Sequence, residues 1–177
     1  MALKTIVRLA DLSANFITNS SASTIYATKV APVITGGATI SGNVLMPSKP
    51  SFNVTYTDGS VTFGAGVVVF NVARTNIASC YNTSTGRFTA PVSGHYQFNV
   101  HFFKFSSYTN PSNTYWGFRR NGGAIITTNH GVQGSDGGQS LNTTIYLNAN
   151  DYIDVFTQGT LQTWGDQFMH FSGFLIG

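Results

Sequence analysis

From Ser51 to Gly177 apolar and polar positions alternate in short runs, and turn residues cut the runs at close intervals. A period of two marks strands with one buried face, because successive side chains in a strand leave opposite sides. "SFNVTYT" alternates, "DGS" turns, and "GVVVFNVAR" follows as the next strand. "RFTAPV" is short, and "SG" opens the long run "HYQFNVHFFKF". "TYWGFRRNGGAIITT" predicts a strand, an Asn-Gly turn and a second strand, a hairpin signal. "GVQGSDGGQS" predicts a Gly-rich loop, "LNTTIYLNANDYIDVFTQ" two strands around "NAND", and "HFSGFLIG" a closing strand. Many short strands with regular turns predict an all-β sandwich or jelly roll.

The alternation also assigns faces. In "GHYQFNVHF", Tyr96, Phe98, Val100 and Phe102 fall on one side and His95, Gln97, Asn99 and His101 on the other. Leu141, Thr143, Ile145 and Leu147 oppose Asn142, Thr144 and Tyr146. Phe171, Gly173 and Leu175 oppose Ser172, Phe174 and Ile176. The last two strands carry a large apolar residue on each face, and the polar side of the first is uncharged. A strand facing water normally carries Lys, Glu or Arg, so these faces predict contact with another subunit. The expected interface is His95, Gln97, Asn99, His101, Tyr146, Phe174 and Ile176.

Before this region the pattern fades. "ITNSSASTIYATKVAPVITGGATISGNVL" is rich in Ser, Thr, Ala and Gly with scattered apolar residues, too few to build a core as a monomer. Leu3, Ile6, Val7, Ala10 and Leu12 fit one short amphipathic helix, and "KTIVRL" fits a strand nearly as well. Pro47 and Pro50 make a stiff joint. Residues 1–46 are therefore expected to be an attachment and oligomerisation arm, and residues 47–177 the folded head.

Composition narrows the class. Only 8% of the 177 residues are charged, the acidic ones number six, and none is Glu. Solvated helix faces are built from Glu, Lys and Arg, so their scarcity argues against a helical protein. Aromatic residues at 14% and 19 Gly suit strands and tight turns. The net charge of +3 is thinly spread, with Arg119–Arg120 its one adjacent basic pair. No nucleic-acid partner is expected from so dilute a charge. Cys80 stands alone, which excludes an intrachain disulfide. "MALKTIVRLADLS" lacks a signal peptide's apolar segment, and no run approaches membrane-spanning length. The expectation is a soluble product of the cytoplasm that leaves by assembly and lysis, without membrane insertion. The Asn-x-Ser/Thr triplets at Asn19, Asn53, Asn82 and Asn142 then reflect composition rather than glycosylation.

The run "FNVARTNIASCYNTSTGRFTAPVSGHYQFNVHF", with "LNTTIYLNANDYIDVF" and the terminal "FSGFLIG", resembles the globular head of complement C1q and its relatives. The residues that carry the resemblance are Phe70, Val72 and Asn76; Tyr81, Asn82, Thr85, Gly86, Phe88 to Pro91, Gly94, Tyr96 and Phe98. Further on they are Leu147, Asp151, Ile153, Phe171, Gly173, Phe174 and Leu175. Asn150 stands where that family usually has Gly, a left-handed turn position that Asn tolerates. The resemblance implies a ten-stranded jelly roll, related to tumour necrosis factor, that assembles as a homotrimer. It places the His95 and His101 face near the three-fold contact. The leading segment has no Gly-x-y repeat and so is unlike a collagen stalk. It resembles the linkers of bacteriophage fibre and virion-surface proteins, which implies a virion structural protein joined to other capsid or tail proteins by its arm. The alternative is a free soluble bacterial C1q-like lectin or adhesin.

No catalytic constellation stands out, and an enzyme is not expected. Cys80 has no neighbouring His in sequence and is expected to pack as a small buried thiol. Asp151 and Asp154, both assigned to the "NANDYID" turn, are given turn and surface roles. "GVQGSDGGQS" lacks the Gly-Lys-Ser/Thr of a phosphate loop. No cofactor is expected. The metal candidates are His95 and His101, which a three-fold axis would repeat into rings suited to zinc or nickel, and Asp58, Asp136 and Asp166, which calcium would need brought together. Two stretches taken as exposed loops, "SSYTNPSNTYW" and "QGTLQTWGDQ", offer rings and amides for a host-surface sugar or protein: Tyr108, Tyr115, Trp116, Trp164 and Gln167, with Trp116 expected rather to pack in its strand and Trp164 the better candidate for exposure.

Overall fold

The computed structural model describes residues 48–105, 107–108, 114–130 and 136–177. The arm expected at residues 1–46, with its helix or strand, lies outside the described residues.

Thirteen strands run through the head: β1 Ser51–Thr55, β2 Ser60–Phe63, β3 Gly66–Val67, β4 Val72–Ile77, β5 Tyr81–Asn82, β6 Arg87–Thr89, β7 Gly94–Lys104, β8 Tyr115–Arg120, β9 Ile125–His130, β10 Gly137–Leu147, β11 Tyr152–Thr157, β12 Leu161–Trp164 and β13 Met169–Leu175. Two antiparallel layers of five strands, in the orders β10-β7-β13-β1-β4 and β5-β6-β11-β8-β9, make the ten-stranded jelly roll. The short β3 adds to β11, and β2 pairs with β12. The only helical element among the described residues is a single 3-10 turn, Asp166–Phe168.

Alternation in β7 is what joins the layers. Tyr96, Phe98, Val100 and Phe102 are buried, as their period requires. The Phe98 ring lies 5.1 Å from Phe88, 6.1 Å from Phe118 and 6.1 Å from Phe171, so rings of both sheets meet on it. Burying each such ring contributes about 1.5–3 kcal/mol before the entropy of ordering it is counted. Gly173 in β13 is where the rings come closest. A Cβ there would stand 2.6 Å from Phe98 Cδ1 and 2.8 Å from Phe52 Cε1.

The turns follow their residues. Asn121 and Gly122 take φ of 50° and 69°, which closes the β8–β9 hairpin in the primed turn that matches strand twist. Asn150 adopts φ 74°, the left-handed position expected of it. Between β5 and β6 the Asn82 side-chain oxygen accepts from the Ser84 and Thr85 amides, and Gly86 takes φ 72°. The Asn76 side chain bonds both backbone groups of Tyr81, and the Tyr96 hydroxyl donates to Val92 O at 2.7 Å. The Thr- and Gly-rich run before β7 is thus a clamped turn, a strand and a second turn.

Three expectations change. "GVVVFNVAR" is not one strand: β3 pairs with β11 in one sheet and β4 with β1 in the other. The chain crosses between layers with Val68 and Phe70 buried, and an apolar run that fills the core while crossing reads like a strand. "QGTLQTWGDQ" is not an exposed loop, because β12 lies inside it and buries Leu161 and Thr163. The Gly-rich loop ends early, since Gly137 to Ser140 open β10 opposite Lys104 to His101.

Candidate functional site: the outward face of the five-stranded sheet

The register of β10, β7 and β13 arranges the uncharged face in cross-strand rows. Tyr146 lies opposite His95, with ring centroids 5.2 Å apart, and the Ile176 amide donates to His95 O at 2.7 Å. The next row is Thr144, Gln97 and Phe174, with the Thr144 hydroxyl donating to Gln97 Oε1. Tyr146 is 49% exposed, Phe174 49% and Ile176 46%, so three large apolar side chains stand together in water on one subunit. Singly this would mean little, but as a cluster it marks a contact surface.

Below them lies an amide row. Asn142, Asn99 and Ser172 are in register with Asn53 of β1, and Asn99 bonds to Asn142. Next come Ser140, His101 and His170. His101 Nδ1 lies 2.9 Å from Ser140 Oγ, His170 Nε2 lies 3.2 Å from Asn99 Oδ1, and the two imidazoles stack at 5.4 Å. Partial burial lowers the pKa of His101; burial and then the neighbouring His101 lower that of His170.

The strands β7, β10 and β13 put no charged side chain on this face; charge stands at its margins. Lys49 donates to Ile176 O at one end. An Arg74–Asp166 ion pair closes the other, over an open depression of about 220 Å³ lined also by Asn53, Gln167 and His170.

All seven expected interface residues therefore share this face. His170 was missed. Carrying the alternation of Ser172, Phe174 and Ile176 back one step places it outward, and only pairing with β7 sets it against His101. His95 and His101 lie about 20 Å apart along one strand, at about 3.3 Å per residue, so within a subunit they form no joint metal site. Asp58, Asp136 and Asp166 do not assemble either. Asp58 accepts from Trp164 Nε1 at 2.7 Å, Asp166 pairs with Arg74, and no group of three His, Cys, Asp or Glu that could hold a metal occurs among the described residues.

The candidate ligand contacts do not form one site. Trp116 is fully buried with its ring 4.8 Å from Phe102, which removes it from the exposed candidates: its strand turns it into the core. Tyr108 and Trp164 both pack on Phe105, with Trp164 half-buried. Tyr115 lies against His130, ring centroids 4.4 Å apart and planes tilted by 55°, and Gln167 is exposed in the depression. Cys80 is buried, and burial pushes its thiol up to about 11, away from thiolate chemistry. Asp154 belongs to β11 rather than to the turn. Fully buried, it is gripped by Arg119 at 2.9 and 3.0 Å, while Asp151 bonds to Arg120 and Asn121. Bonds from Asn121 and the Asn148 amide hold the Asp151 carboxyl below its usual range. Each carboxylate is committed to its own partners.

Two antiparallel five-stranded layers make a jelly-roll sandwich, the fold class of C1q and tumour necrosis factor. The C1q domain family model matches residues 51–176, and the chain belongs to the C1q domain family. The head is similar to the globular domain of zebrafish complement 1qA, with a TM-score of 0.56 and 18% identity over 73% of this chain and 98% of that one. Murine APRIL gives 0.55 and 8%, covering 72% and 98%, and the Eiger TNF of S. frugiperda 0.50 and 12%, covering 73% and 94%. No curated protein matches the chain.

Proposed function

We propose that the chain is a non-enzymatic structural protein of a bacteriophage particle, in capsid or tail. Residues 1–46 fix it to other virion proteins, and a homotrimeric C1q-like head points outward for adhesion or particle stabilisation. The observation that carries the trimer is the outward face of β10, β7 and β13, where Tyr146, Phe174 and Ile176 stand exposed above an uncharged amide and imidazole surface. Members of the C1q and tumour necrosis factor family form homotrimers and are in general not enzymes, which supports the reading. The Ser-, Thr-, Ala- and Gly-rich arm supports a virion role, since it gains order most readily along copies of itself or on a larger surface.

Deleting residues 1–46 tests both halves. The remaining head is expected to keep a trimeric mass and to disappear from sedimented particles. Incorporation of the shortened chain would remove the arm's assigned role, and a monomeric head would remove the interface. The alternative is a free bacterial lectin or adhesin, for which the half-buried Trp164 and the exposed Gln167 are the contact candidates; a chain found only in the soluble fraction of lysates, never on particles, would remove the virion reading.

A further inference from the structure

We propose that the His101–His170 pair makes the assembly acid-sensitive, so that the subunits separate when both imidazoles take up protons. This inference rests on the trimer reading above and adds a regulation to the same face. The two rings belong to adjacent strands, stack at 5.4 Å with planes 21° apart, and are both partly buried within one subunit. Their known bonds accommodate neutral rings, one to the Ser140 hydroxyl and one to the Asn99 amide oxygen. Among the described residues the bonds shown by the two rings are to a hydroxyl and an amide oxygen, not to a carboxylate.

The groups that face the pair are few. From β10 they are Ser140 and Asn142, and Gly138 lies beside the His101 ring, where a Cβ would come within 2.6 Å of its Cε1. From β7 they include Asn99, and from β1 Asn53. β4 and the 3-10 turn bring the Arg74–Asp166 ion pair to the edge of the depression that His170 lines. Asp166 is thus the nearby anion, and it is already neutralised by Arg74. Adding two protons places like charges side by side on a surface that another copy would cover.

The sign follows from burial. Both imidazoles have pKa values lowered from 6.5 by burial within one subunit, so the folded subunit already holds fewer protons than the unfolded chain just below that pH, and cover by another copy would act in the same direction. What the neutral pair contributes within the subunit is complete above pH 6.5 and is lost as pH falls through the lowered values, and the charge that then appears lies on the face the proposal assigns to the contact.

The test is the light-scattering mass of the full chain at low micromolar concentration from pH 7.5 to pH 5, with circular dichroism recorded on the same samples. The expected result is a trimeric mass at pH 7.5, near three times 19.0 kDa, falling about threefold to the subunit mass at pH 5 with the strand signal retained. A trimer at both pH values overturns the acid response and leaves the trimer reading intact. A monomer at pH 7.5 overturns that reading and the inference with it. In the variant carrying both His101→Gln and His170→Gln, the trimer is expected to persist at pH 5. If it separates as the parent does, the pair is not the sensor. Should the double variant fail to assemble at pH 7.5, His170→Gln alone serves: one remaining imidazole should shift the midpoint to lower pH, and an unchanged midpoint overturns the assignment. His95→Gln should leave the midpoint where it is, and loss of the response there would move the sensor to the row of Tyr146.

Discussion

The outward faces of the two sheets are built on opposite plans. On the six-stranded side a cross-strand row of Arg87, Asp154 and Arg119 covers the middle of the sheet. Arg119 holds Asp154 in a two-pronged bond and lies over the Phe156 ring at 4.2 Å, while Arg87 lies over Tyr152 at 4.4 Å. Asp154 is thus satisfied by Arg119 inside the subunit, while Arg87 stands 3.8 Å from the same carboxylate with its Nε unbonded. On the five-stranded side the corresponding rows hold amides, imidazoles and three exposed apolar side chains, with charge only at the margins. Its hydrogen bonds run within the sheet, but its apolar rows have no cover. Both sheets come from one alternating pattern, so what separates them is where the few charged residues were placed. In a chain with 8% charged residues that placement is the clearest difference between the two faces.

The contrast can be broken from either side. The largest effect is expected from Arg119→Leu, which leaves the buried Asp154 carboxylate without its bidentate partner. A loss of about 3–5 kcal/mol in subunit stability should appear in urea unfolding, with the oligomeric mass unchanged while the protein stays folded. A cost below about 1 kcal/mol would show that Arg87, 3.8 Å from Asp154, replaces it.

Tyr146→Glu probes the other face. The subunit should fold as before, because the side chain is half exposed, but assembly should weaken by about 100-fold or more, corresponding to roughly 3 kcal/mol for an uncompensated charge at the contact. Sedimentation across a concentration series reads this out, and a parental midpoint would place Tyr146 outside the contact. The smallest effect is expected from Arg74→Ala. Its ion pair with Asp166 is 53% and 47% exposed, so thermal unfolding should register less than about 1 kcal/mol.

The core was legible because period two is a local signal: Tyr96, Phe98, Val100 and Phe102 announce their side from "HYQFNVHF" alone. Turn chemistry was equally local at Asn121-Gly122 and at Asn150. Whatever depends on which strands become neighbours was not. The stacking of His101 on His170 needs β7 beside β13, residues nearly seventy positions apart in sequence and joined only by the sheet. Trp116 sits in a strand whose alternation puts it inward, the reading its sequence favoured, although the Asn- and Ser-rich segment before it also kept it among the contact candidates. The split of "GVVVFNVAR" between sheets was hidden because a crossing segment and a buried strand are both simply apolar. Asp154 in its arginine grip shows the same limit from the polar side, since a carboxylate's neighbours across the sheet are not written beside it in the chain.

The claim that the uncharged face is covered by other copies is tested most directly by the solution mass of the full-length chain at neutral pH and micromolar concentration. Three subunits of 19.0 kDa predict about 57 kDa. A value of one subunit, with Tyr146, Phe174 and Ile176 left in water, would contradict it.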